Sequence, residues 1–386
     1  MRSLVIVSVV LALGVVDGGM GAVQVVPTCV QDFPTAALPD PHAAVVMCGL
    51  DNPRGLAFDH DVLYVAEAGR GGLGAATRDC FIGQAGGMRC YAPNGAISRL
   101  SDGVQERIVT GLPSHANLQG RNAIGPHDVA FADGMFVAIG LQQPPDFRER
   151  FPFLADFARV VEILPGGQWQ SVADLGAYET EHDPDQLYYS PAKLDTNPFG
   201  LLAIPGRDLL VVDAGANAVV RVEAGGAAST YAVLAPHPAD SQDDSVPTAV
   251  DRGPDGAYYI GELTGFPVVP GAANVYRMPH GAGAPEVCLT GFTLVIDIAF
   301  DHRGRLYVLE NGGQLLRVTP RRQAAAGREG QPVLCAQYAG GEREVFVTGL
   351  TSPTSVVVGR DGAVFVSNRG VFPATGQVIR FSNLSN

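Results

Sequence analysis

The chain has 386 residues, 46% of them apolar and 17% charged, a balance that supplies a core and excludes an intrinsically disordered chain. Its formal net charge of −13 repels phosphate backbones and argues against nucleic acid as a partner. The 48 glycines and 28 prolines are spread along the chain rather than clustered, which predicts many turns between many short strands.

Arg2 precedes an apolar run from Leu4 to Val16, followed by Gly18, Gly19, Gly21 and Ala22. The run is short for a bilayer span and of the right length for a signal-peptide core. Residues 1–22 are therefore expected to direct export, to a secreted or periplasmic location. No second apolar run of spanning length follows, so no membrane span is expected after cleavage. Residues 23–42 read as an N-terminal extension, and 43–386 as one domain. Six cysteines behind an export signal favour disulfides. The pairs expected are Cys80–Cys90, Cys288–Cys335 and Cys29–Cys48, out of about 15 pairings that six cysteines allow.

From residue 53 onward one unit recurs: a strand, a tight turn, then a second apolar strand. The first copy runs Pro53-Arg54-Gly55-Leu56-Ala57-Phe58, then Leu63 to Glu67. The others begin at Pro126, Pro198, Pro247, Ile296 and Pro353, and their second strands end at Ile139, Asp213, Glu262, Glu310 and Asn368. A third strand follows each pair, as in Ile97-Ser98-Arg99-Leu100 and Val378-Ile379-Arg380-Phe381. A fourth leads into the next copy, as in Arg107 to Leu112 and Glu344 to Leu350. Four β-rich strands per unit and six units predict an all-β fold, a six-bladed β-propeller. The last copy lacks a fourth strand. Ala44 to Leu50 carries the matching pattern, so an N-terminal strand is expected to close the last blade and remove the exposed edge.

Long insertions at 68–94, 140–158, 175–196 and 263–272 are predicted to gather at one channel mouth, where a binding site is expected. The segment 319–342 belongs to the opposite face. Aligned copies place Arg54, His127, Phe199, Thr248, Ile296 and Thr354 in one channel ring. The next ring holds Gly55, Asp128, Gly200, Ala249, Asp297 and Ser355. Arg54, Asn197, Thr248, Asp297 and Thr354 are the candidate ligand-binding residues. His127 and Asp128 are the candidate catalytic pair, a base oriented by a carboxylate. Glu67, Asp213, Glu262 and Glu310 end four second strands; they are candidate ligands for a hard cation such as Ca²⁺, or acids that serve the repeat itself. His115, His182, His237 and His280 fall in predicted loops near the same mouth. The sequence carries no G-x-S-x-G elbow, Walker loop, dinucleotide-binding fingerprint or H-E-x-x-H motif.

The segments Gly49 to Phe58, Tyr64 to Gly72, Gly125-Pro126-His127-Asp128, Asp195 to Leu202, Asp255 to Pro267 and Gly271 to Arg277 resemble the ScyD/ScyE family, exported propellers named for the scytonemin pigment cluster. The resemblance runs from about residue 43 to the C-terminus and implies fold and export, with no mechanism attached. More distantly the repeats are similar to NHL-repeat and gluconolactonase-like propellers, although the lactonase Glu-Gly-Pro signature of the first blade is missing. Two functions follow as expectations. One is binding of a small molecule, glycan or peptide at the loop-rich mouth. The alternative is a metal-assisted hydrolase or lyase at the channel. Nothing points to an oligomer, and a monomer is expected.

Overall fold

A computed structural model describes residues 24–25, 42–73, 79–188, 193–236, 244–278, 284–321 and 335–382. The expected signal segment 1–22 lies outside them. Six antiparallel sheets follow one another along the chain, each with four blade strands. Their first strands are Pro53–Asp59, Pro126–Phe131, Pro198–Ile204, Pro247–Arg252, Val295–Phe300 and Ser355–Val358. Each first strand packs against the first strands of the two neighbouring blades, and the sixth packs against the first. The result is a closed ring around an axis, the six-bladed β-propeller.

Both faces of a blade are covered by its neighbours, so its middle strands read as unbroken apolar runs. Asp208–Asp213 in blade 3 is buried along its whole length. The core is correspondingly divided into one cluster per blade interface. Leu210 and Val212 of blade 3 pack with Tyr258 and Ile260 of blade 4. Leu56, Leu63 and Val65 of blade 1 pack with Met47, Leu50, Phe365 and Val378 of blade 6. Each such side chain contributes roughly 1.5–3 kcal/mol on burial, and stability comes from six interfaces rather than one centre.

The last blade closes as the repeat requires. Ala43–Leu50 pairs with Gly376–Phe381, with Ala43 opposite Phe381, Val45 opposite Ile379 and Met47 opposite Val378. Cys80–Cys90 and Cys288–Cys335 are disulfides. Cys48 is disulfide-bonded, and its expected partner Cys29 lies outside the described residues. No helix among the described residues is long and apolar enough to cross a membrane.

Three stretches depart from the sequence expectation. In blade 1 the third and fourth strands are Met88–Ser101 and Val104–Asn117, far longer than the repeat unit. They project as a ribbon joined by Cys80–Ile82 on one side, and Gln24–Val25 adds to the outer edge. His115, expected in a loop, is therefore a buried strand residue. The insertion after Asp174 begins with the helix Leu175–His182, capped by the Asp174 carboxylate, which accepts from the amide of Ala177. Its low apolar periodicity hid it from pattern reading. The insertion after Ile139 folds into two short turns, Phe147–Arg150 and Pro152–Leu154. Its Phe147, Phe151, Phe153 and Phe157 rings pack on Phe81, Tyr91 and His115 of the ribbon.

Candidate functional site

In blades 1 to 5 the first strands enter the ring through a bulge. In blade 2 Pro126 pairs with Ile139 and Asp128 with Ala138, leaving His127 unpaired between them. Phe199, Thr248 and Ile296 occupy the same position in blades 3, 4 and 5. A bulge re-aims a side chain, and here three residues of this layer reach the next blade. The Thr248 hydroxyl donates to the Val295 carbonyl at 2.8 Å, and the Thr354 hydroxyl to the Pro53 carbonyl at 2.7 Å. His127 Nδ1 lies 3.0 Å from the Pro198 carbonyl, which requires the proton on Nδ1. The predicted layer thus exists, and its polar members staple neighbouring blades.

A second layer lies further along the same strands. The Asp128 carboxylate accepts from the amides of Val129 and Leu201, at 2.9 and 2.8 Å. The Asp297 carboxylate accepts from the amides of Ile298 and Val356 and from the Ser355 hydroxyl. Ser355 in turn accepts from the amide of Leu56 across the seam. Asp251 bonds the amide of Phe300 in the same way. Asp128, Asp251, Asp297 and Ser355 line a cavity of about 360 Å³ within the channel, on the side away from the long loops. Burial pushes Asp297 up to about 7 and Asp251 up to about 6. Burial and the nearby Asp297 hold Asp128 well above the usual carboxylate range.

The predicted site set is therefore split between two layers. Arg54, His127, Asn197, Thr248 and Thr354 are buried toward the loop-rich mouth. Asp128 and Asp297 line the cavity beyond them. The expected His127–Asp128 pair does not form: the His127 ring is taken up by the Pro198 carbonyl, and the Asp128 carboxylate is held by the amides of Val129 and Leu201. Burial pushes His127 down to about 3, with Arg54 adding to the effect.

Three atoms of the mouth layer stand out. Arg54 Nε, His127 Nε2 and Asn197 Oδ1 are buried without a hydrogen-bond partner. The Arg54 guanidinium does make one bond, its Nη2 donating to the Ala123 carbonyl at 2.6 Å. A methyl group placed on Gly140 would strike both His127 and Asn197 Oδ1, so this glycine lets the two side chains meet below the backbone. The three groups offer one donor and two acceptors among the buried residues of the mouth layer.

The four carboxylates at the ends of second strands do not form a shared cation site. Glu67 is bound by Arg107 at 2.6 Å and accepts from the Asp51 amide and Ser98 hydroxyl. Asp213 accepts from Thr196, Asn197, Gly215 and Ala216. Glu262 accepts from Asn274 and Tyr276, and burial pushes it up to about 7. Glu310 accepts from the Thr293 amide. Each acid fastens the turn of its own blade, which is why the repeat carries it.

The loops above blades 2 and 3 contain what pattern reading missed. Among the described residues, one group of three possible metal ligands lies together: Glu179, Asp183 and Asp185, with ligand atoms within 4.8 Å of one another. The spacing Glu179, Asp183, Asp185 was a usable signal only once a helix ending at His182 was known. Beside this helix a cleft of about 560 Å³ opens between Ala177, Thr180 and Glu181 and the Pro144–Arg159 region of the preceding insertion. His182 ends the helix and is exposed; His237 and His280 lie outside the described residues.

The sequence matches no protein-family model and no curated protein. Solved structures do resemble the fold. A proposed oxidoreductase (glucose dehydrogenase) from Thermus thermophilus is 16% identical, over 88% of this chain and 98% of that one, with a TM-score of 0.50. Regucalcin, a calcium-binding protein from Agrobacterium tumefaciens, is 13% identical over 87% and 92%, with a TM-score of 0.48. A streptogramin B lyase is 13% identical over 87% and 96%, with a TM-score of 0.45. At these identities the likeness concerns architecture alone.

Proposed function

We propose that the protein is an exported propeller of the ScyD/ScyE type that binds a small polyhydroxylated molecule or glycan at the loop-rich mouth. The observation that carries this reading is the trio of buried, unmatched polar atoms on Arg54, His127 and Asn197. An unmatched buried polar atom costs about 1–3 kcal/mol, so three together call for an occupant. With its proton on Nδ1, His127 offers Nε2 as an acceptor; the Asn197 oxygen is a second acceptor and Arg54 Nε a donor in the same buried layer. A hydroxyl both donates and accepts at a single atom and matches this set. The reading is supported further by the low basicity of His127, which suits it to receiving a hydrogen bond rather than a proton.

The test is a panel of sugars and polyols screened by thermal shift, with hits measured by calorimetry. Asn197→Ala is expected to weaken binding at least about tenfold, roughly 1.4 kcal/mol, while leaving the melting temperature equal or higher. That combination separates a ligand group from a structural one. Binding unchanged in Asn197→Ala, or a panel that moves nothing, overturns the reading.

A further inference from the structure

We infer that Glu179, Asp183 and Asp185 form a calcium site that clasps the helix Leu175–His182 onto the mouth of blade 3. Glu179 and Asp185 are each only 1% exposed. Both oxygens of Glu179, and Oδ1 of Asp183 and of Asp185, are buried with no hydrogen-bond partner. The amide of Asp195 favours the charged form of Glu179 but makes no well-formed hydrogen bond to it. Among the described residues, no ion pair reaches any of the three. Lys193, the nearby cation of this loop, is bound to Asp244 at 2.5 Å.

Three carboxylates gathered this way repel one another when ionised, and a cation bound among them relieves that repulsion. Their oxygens lie within 4.8 Å of one another, which is about twice a Ca–O distance of roughly 2.4 Å, so one ion can reach all three. Two further features aim the cluster. The Asn217 amide donates to Asp185 Oδ2 at 2.7 Å, fixing the carboxylate with Oδ1 turned to the cluster, as outer partners fix metal ligands. Asp183 takes a left-handed conformation, φ 40°, at the end of the helix, where the negative end of the helix dipole also favours a cation. An all-oxygen, carboxylate-rich set is the chemistry of a hard ion. Ca²⁺ is chosen over Mg²⁺ because it accepts flexible, carboxylate-rich oxygen sets, whereas Mg²⁺ demands near-ideal octahedral geometry and keeps several waters.

The same helix presents Ala177, Thr180 and Glu181 to the cleft, so the ion holds one wall of the mouth. That consequence rests on the ligand-binding reading; the ion site itself does not, and it is measured without any organic ligand. The experiment is calorimetric titration of CaCl₂ into the full chain after EDTA treatment, with melting curves beside it. The expected result is one ion per chain and a melting point raised by about 2–4 °C at roughly 100-fold excess over Kd. Glu179→Gln and Asp183→Asn should each weaken binding at least about tenfold and abolish the shift. Without calcium, Glu179→Gln should melt at or above the parent, since it removes one acid from a cluster of acids. Asp183→Asn, at a half-buried helix end, carries the test if the first variant misfolds. No binding heat and no shift, or a shift retained in both variants, overturns the site. Mg²⁺ binding as tight as Ca²⁺ overturns the choice of ion.

Discussion

His127 shows how one residue type serves a repeat position that other types also fill. Thr248 and Thr354 make the equivalent bond to the next blade, so His127→Thr is expected to fold. The two side chains differ in how they respond to acid. Below pH 6.5 the unfolded chain protonates its histidine, while the folded one holds out until about 3. Stability from this residue is therefore complete above pH 6.5 and lost as the pH falls toward 3. Between pH 6.5 and 4 the parent should lose about 3 kcal/mol more than His127→Thr, on the linkage relation. Denaturant melts of both at the two pH values check it, and equal losses would mean that His127 is not sealed from solvent. Aligned copies were enough to group Arg54, His127, Thr248 and Thr354 in one layer. They could not reveal that the polar members point at a neighbour's carbonyl, because that follows from a bulge set by backbone pairing, which leaves no mark in residue type.

At the scale of elements, the strands were legible and the insertions were not. A blade strand announces itself through β-branched and aromatic runs between turn residues. The blade 1 ribbon does not, since its buried positions include Ser114, His115 and Ala116, and its partner is a non-repeating insertion far along the chain. Aromatic packing holds the two together, with Phe157 fully buried against Tyr91 and His115. Phe157→Ala should cost about 3–5 kcal/mol, felt locally. Limited proteolysis should cut the 140–158 insertion sooner while the blades stay resistant. Simultaneous loss of the whole molecule would instead mean that the insertion is part of the ring's cooperative unit. The helix Leu175–His182 was missed for a related reason: it is short, contains Gly176, and takes its stability from docking rather than periodicity.

For the whole molecule, closure was the most readable feature, because a missing strand at one end and a spare one at the other admit a single solution. Deleting residues 1–50 should leave Gly376–Phe381 as an open, apolar edge and the interface of Met47 and Leu50 with blade 1 empty. The expected outcome is aggregation or failure to fold, read by light scattering and circular dichroism. A monomeric, native-like truncated chain would contradict the importance of the seam. Ala43 sits opposite Phe381, and the strands then run antiparallel from that pair. A pull applied at Ala43 and Phe381 thus loads the ladder at its first rung, parting bonds one after another instead of shearing them all at once. The torus resists heat through all six of its joints, yet against tension between Ala43 and Phe381 its seam is a zipper with the slider left at the top.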